Sequence, residues 1–153
     1  MKLIMKTKLL LVIFCIFVRV VVDGQITKGI DLLKQELEKS KPDTNRVLIL
    51  DYISFNYLSI TPDSAKYYSD EALALAEKLN YLRGQSRIYN TRGKLERNLG
   101  NLPQALYSVY KGMQIAEENN YLLEKAFCMS SLGEIYGDLN DYQKAKYFFY
   151  SVE

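Results

Sequence analysis

The sequence predicts an all-α fold in which one helical hairpin is used repeatedly. Three observations predict it. An Ala-x-Tyr signature falls at Ala65/Tyr67, Ala105/Tyr107 and Ala145/Tyr147, each copy 40 residues after the last. Aligning 65–83 with 105–123 makes seven of nineteen positions identical, namely Ala65, Tyr67, Ala76, Glu77, Asn80, Tyr81 and Leu82 with their counterparts. Between these marks the apolar residues recur at helical spacing. A fixed period of this length belongs to a unit that stacks on copies of itself and offers a surface, not a reaction centre.

Composition narrows the function further. The 153 residues are 48% hydrophobic and 25% charged, ordinary for one folded domain or a short array. Thirteen Tyr accompany no Trp and no His. Without His there is no Ser-His or Cys-His nucleophile pair, no imidazole metal ligand or proton shuttle, and no phospho-acceptor His. The sequence therefore nominates no catalytic residue, no metal ligand and no cofactor, and the chain is read as not an enzyme. Adjacent acids such as Glu117 and Glu118 point in different directions along a helix. Arg92-Gly93-Lys94 lacks the spacing of a phosphate-binding loop.

Residues 1–24 read as a signal peptide. Lys2, Lys6 and Lys8 precede the ten-residue apolar run Leu9–Val18, and Val22 and Gly24 suit cleavage before Gln25. Ten residues make about 15 Å of helix, half of a hydrocarbon core of about 30 Å. An uncleaved anchor is the alternative if the run is read through Arg19 to Val22. Removal of the leader leaves 16 basic and 17 acidic residues, so the apparent basicity belongs to the export signal. Nucleic acid thereby loses its electrostatic support. Cys128 remains alone and reads as a small buried hydrophobe.

The elements follow in order. Within the segment 25–42, Thr27–Ser40 is an amphipathic helix with Ile30, Leu33 and Leu37 on one face, stopped by Pro42. Asp43 or Thr44 caps the next helix. Val47–Ile60 starts like a strand, yet the spacing of Ile49, Ile53 and Tyr57 favours a helix. Thr61-Pro62-Asp63 opens the following one, since Pro suits a first helical turn. Further helices are expected over Leu82–Leu99, Leu102–Glu118, Leu122–Leu139 and from Tyr142 onward, separated by turns at Asn80-Tyr81, Gly100-Asn101, 119–121 and Asn140-Asp141. The units are about 43–80, 81–120 and 121–153. The last is incomplete at Glu153, which reads as a fragment end or as an edge that docks onto another subunit.

Leu132, Gly133, Tyr136, Asn140, Tyr142, Ala145 and Phe149 are spaced as L-G-x2-Y-x3-[G/N]-x-Y-x2-A-x3-F. This pattern resembles the tetratricopeptide repeat. Gly93, Gly100, Leu102, Ala105 and Val109 match in the second unit, and Ile53, Ser54, Tyr57, Ala65 and Ala72 in the first, where the turn is one residue shorter. The resemblance covers about 44–153 and implies a right-handed superhelical solenoid of antiparallel helix pairs. The 40-residue period exceeds the usual 34 and looks like that of exported bacterial proteins. Two residues depart from the pattern: Arg92 stands in the place of Leu132 and Glu96 in that of Tyr136. An Arg92–Glu96 pair at i, i+4 would relieve part of the cost of a buried charge; either the second unit packs loosely or, the preferred reading, these side chains snorkel to the edge.

The resemblance also implies a peptide-binding groove lined by the first helix of each hairpin. Its positions match Arg87, Asn90, Lys94 and Arg97 in the second unit, Asp51 and Phe55 in the first, and Ser130, Glu134 and Asp138 in the third. The basic set could hold a carboxylate or phosphate; the plainer reading is a solvated face. Tyr67, Tyr107 and Tyr147 are expected to pack between helices, with a sticky surface as the alternative. The expected function is a scaffold that binds a protein or peptide in the periplasm or outside the cell. It would touch membrane only through an uncleaved N-terminal segment. The alternative is the sensory part of a membrane-bound histidine kinase or DNA-binding regulator whose output domain is missing.

Overall fold

A computed structural model describes residues 27–151; the leader region and its cleavage site lie outside the described residues. Seven α-helices and no strand occur among them. They are α1 (27–39), α2 (Thr44–Tyr57), α3 (Pro62–Lys78), α4 (Leu82–Asn98), α5 (Leu102–Glu118), α6 (Leu122–Asp138) and α7 (Tyr142–Tyr150). The strand-like run after Val47 is helical, and Asp43 caps it by accepting from the Asn45 and Arg46 amides at 3.0 and 3.1 Å. Thr61 stands at the N-cap of α3, but its hydroxyl makes no capping bond there. Among the described residues no helix is long and apolar enough to cross a membrane.

Helices α3 to α6 are 17 residues each, and three residues join each to the next, so the 40-residue period resolves into half-periods of 20. Every one of these turns contains a left-handed residue: Asn80, Gly100, Asn120 and Asn140, with φ of 51°, 77°, 57° and 59°. Gly has no Cβ to clash there, and Asn tolerates the conformation better than most residues. The following residue then reaches back five positions, a bond typical of helix C-termini, as in Tyr81 N–H to Ala76 C=O at 2.8 Å. Asn101 to Glu96, Tyr121 to Ala116 and Asp141 to Tyr136 repeat it at 2.8–2.9 Å. The same residue also opens the next helix, since Tyr81 C=O accepts from Gln85 N–H at 3.0 Å. The α2–α3 turn lacks a left-handed residue and is stitched instead by Thr61 and Ile60 N–H to Tyr57 C=O, both 3.0 Å. Four residues, 58–61, make this connection against three at the later turns, yet Ser54 to Ala65 spans one residue fewer than Gly93 to Ala105.

From α2 onward each helix packs on the next. Among the described residues from α2 onward, the backbones of alternate helices come close for α2 with α4 and for α4 with α6, so these three form one row. Small side chains bring the helices together: Ala65, Ala72, Ala76 and Ala105 are fully buried. Gly112 lets α5 approach α4 closely, and the Ser86 hydroxyl donates to the Gly112 carbonyl at 2.7 Å. One apolar cluster centres on Val47, Leu50, Ala72, Ile88 and Tyr89, another on Val109, Cys128, Leu132, Ile135 and Phe148. Each large side chain in them contributes roughly 1.5–3 kcal/mol by leaving water. Helix α1 buries Ile30 and is tied to α2 by Arg46, whose guanidinium donates to Leu37 C=O at 2.7 Å and Ser40 Oγ at 2.9 Å.

Two expectations need correction. Tyr67, Tyr107 and Tyr147 do not pack between helices; they are 56%, 59% and 64% exposed on α3, α5 and α7. Ala65, Ala105 and Ala145 make the close approach, and a residue two places on along a helix points about 200° away. Arg92 does not pair with Glu96. It forms an ion pair with Asp70 of α3 at the half-exposed edge, while Glu96 accepts from Asn101 at 3.1 Å. Snorkelling is what Arg92 does, toward a partner on the neighbouring helix.

A Cβ at Gly112 would lie 2.7 Å from the Ser86 carbonyl oxygen, backbone that cannot step aside. One at Gly137 would meet nothing within 4 Å. Gly112→Ala is therefore expected to destabilise the fold by about 1–3 kcal/mol. Gly137→Ala should stabilise it by about 0.5–1 kcal/mol. Urea midpoints of the two variants check both signs.

Candidate functional site

Side chains that meet along the α2–α4–α6 row are separated by close to 40 residues, and polar ones bond across it. The Thr91 hydroxyl donates to Asp51 Oδ1 at 2.8 Å, and Arg87 Nε lies 3.5 Å from Asp51 Oδ2. Asn98 donates to the Leu58 carbonyl at 3.3 Å. Arg97 donates to Glu134 Oε2 at 2.6 Å and to Asp138 Oδ2 at 2.5 Å. Arg83 Nε lies 3.2 Å from Glu124 Oε2. Three expected groove residues, Arg97, Glu134 and Asp138, thus satisfy one another across α4 and α6. Arg97 does not join an unpaired basic face as its spacing suggested.

Between the three helices lies a cavity of about 200 Å³. Asp51, Tyr52 and Phe55 line it from α2, Arg87, Asn90, Thr91 and Lys94 from α4, and Glu124 and Phe127 from α6. The structure therefore gathers five expected residues, Asp51, Phe55, Arg87, Asn90 and Lys94. Ser130 is half-buried on α6 and does not line the cavity, nor do Arg97, Glu134 and Asp138. Tyr52, Thr91, Glu124 and Phe127 were missed. Thr91 stands 40 residues after Asp51 and Phe127 40 after Arg87, so the period carried a signal for both. Glu124 follows Gly84 by the same step and carried none.

The walls and charges have distinct roles. Tyr52, Phe55 and Phe127 each leave nearly half of their surface exposed. The Arg87 guanidinium lies over Tyr52 at 5.3 Å and Lys94 Nζ over Phe55 at 5.5 Å, distances at which a cation is attracted by a ring face. Asp51 is buried, and that burial raises its carboxyl above the ordinary value; the Thr91 bond and the Arg87 charge oppose the rise. Glu124 is buried against Arg83. Among the described residues Lys94 has no carboxylate partner, and the Asn90 side chain makes no hydrogen bond while its Oδ1 is buried; Arg87 Nε and Glu124 Oε2 are also buried without a hydrogen bond, though each faces an ionic partner. Beside the row, burial pushes the Cys128 thiol up to about 12, so it stays protonated and is no nucleophile. Among the described residues no group of three or more acidic or thiol side chains is placed to hold a metal ion.

Removing the Asp51 carboxyl strands Arg87 and the Thr91 hydroxyl, so Asp51→Ala should cost roughly 3 kcal/mol in urea unfolding. Asp51→Asn should cost less and should change the pH dependence. A carboxyl whose folded pKa is raised binds its proton more tightly when folded. Its contribution is therefore full below 3.8 and is lost as pH climbs from there through the raised value. Subtracting the Asp51→Asn stability profile from that of the unmodified chain should show this decline; a rise over the same window would contradict it.

Compared with known proteins, the chain matches no family model, no curated protein and no solved structure.

Proposed function

We propose that the chain is a non-enzymatic scaffold that holds an extended segment of a partner protein or peptide along the α2–α4–α6 row. One observation carries the reading: a ring-walled cavity whose ionic groups are paired with one another, except for a single lysine and a single amide. Reaction centres need titratable groups free to act on a substrate. Here Asp51 and Glu124 are committed to arginines, the one described thiol is protonated, and the chain has no His. Exposed rings around an uncommitted polar pair suit recognition instead. In this reading the hairpins stack as a right-handed superhelical solenoid of the tetratricopeptide kind, with α2, α4 and α6 on its groove side. The basic, then apolar N-terminal segment supports a location outside the cytoplasm, and the near balance of charge in the rest of the chain gives nucleic acid no electrostatic support as a partner.

Selection of peptides from a random displayed library on the immobilised full chain tests this. Enriched peptides, remeasured by fluorescence anisotropy, should bind Phe127→Ala at least about tenfold more weakly, because truncating a ring at the centre of a pocket costs about 2 kcal/mol. Tyr107→Ala, on the outer side of the array, should leave the affinity unchanged. The proposal fails if nothing is enriched, or if Tyr107 matters as much as Phe127.

A further inference from the structure

Resting on the proposed binding role of this row, we infer that the cavity selects an internal segment in which a bulky apolar side chain neighbours a single acidic one. The volume sets the first part. About 200 Å³ falls short of the roughly 300–1,000 Å³ of small-molecule sites, yet it can accept one side chain. Tyr52, Phe55 and Phe127 supply three half-exposed rings from two helices, so an apolar group entering between them leaves water on several sides at once.

The amide sets the second part. Asn90 is 8% exposed and lines the cavity with its Oδ1 unpartnered. A buried acceptor without a donor is costly to leave. A carboxamide presents one acceptor and two donors, so the group that satisfies it best is another amide, such as the main chain of a segment crossing α4. Such a segment continues toward α2 on one side and α6 on the other, which is why an internal stretch fits.

Charge sets the third. Asp51 pairs with Arg87 within the wall, and the wall residue Glu124 pairs with the half-exposed Arg83 just outside it. Lys94 is the cation of the cavity wall that has no carboxylate partner among the described residues, and it sits over Phe55 where the apolar side chain enters. One carboxylate beside that side chain completes the balance. A basic neighbour meets Lys94 and is refused, which gives selectivity by repulsion as well as attraction.

Titration of the ¹⁵N-labelled full chain with four end-blocked tetrapeptides decides the matter. The peptides are acetyl-Ser-Phe-Glu-Ser-amide and its Phe-Gln, Phe-Lys and Ala-Glu versions, so no free terminal carboxylate contributes. The Phe-Glu peptide should move the Asn90 side-chain amide signal, identified by its loss in Asn90→Ala. It should bind at least about tenfold tighter than the Phe-Lys and Ala-Glu peptides. Lys94→Gln should erase the preference for Glu over Lys, and Lys94→Glu should reverse it. Equal binding of Phe-Glu and Phe-Lys peptides, or an order unchanged in both Lys94 variants, overturns the inference. If the Ala-Glu peptide still binds worst, the row remains a peptide site and only its charge selection is refuted. Absence of any shift at cavity residues with all four peptides also overturns the inference, leaving the library selection to judge the binding role.

Discussion

From α3 onward the chain reverses direction every 20 residues by placing one residue in the left-handed region, and the rest of the architecture depends on that turn. At Asn80, Gly100, Asn120 and Asn140 the last carbonyls of one helix are satisfied by amides of the residues that begin the next. No slack is left for a loop. Each helix must therefore lie against its predecessor, and two reversals bring the chain back to the same side. The 40-residue period of the sequence is the outcome of two such turns and two 17-residue helices.

That geometry decides which residues can serve a partner. Once α2, α4 and α6 stand side by side, long polar side chains on them reach one another, and most do so. Arg97 goes to Glu134 and Asp138, Arg87 and Thr91 to Asp51, and Arg83 to Glu124. Pairs at the half-exposed edge add little stability each, because water and salt screen them. The bonds onto Asp51 are different, since a buried carboxylate without partners would be expensive. Lys94, Asn90 and the three rings are what the lacing leaves over, and they converge on one cavity.

The helices were legible because their signals are local. Asp43 as a cap, Pro62 in a first turn and Asn or Gly at the four reversals after α3 all act within a few residues of themselves. The resemblance to the tetratricopeptide repeat, and not the period alone, then indicated which helices share a side, and the five expected cavity residues came from it. What stayed hidden depends on pairings between helices. Nothing local distinguishes Arg97, which is paired twice, from Lys94, which is not; the difference lies in Glu134 and Asp138, 37 and 41 residues away. The partner of Arg92 stayed hidden for the same reason, Asp70 being on the preceding helix. The tyrosines misled in the opposite way: a regular mark at 40-residue spacing indicates a repeated position, inside or out, and here it is outside.

The central claim is that a partner lies along α2, α4 and α6 and not on the outer helices. Site-directed photocrosslinking reads this most directly. A benzophenone side chain is placed at Phe127 in one version of the full chain and at Tyr147 in another, each mixed with the same selected peptide. Both positions are exposed, Phe127 beside the cavity and Tyr147 on α7. The account predicts crosslinked peptide from position 127, competed away by unlabelled peptide, and none from position 147. Crosslinking from position 147 alone, or equally from both, would contradict it.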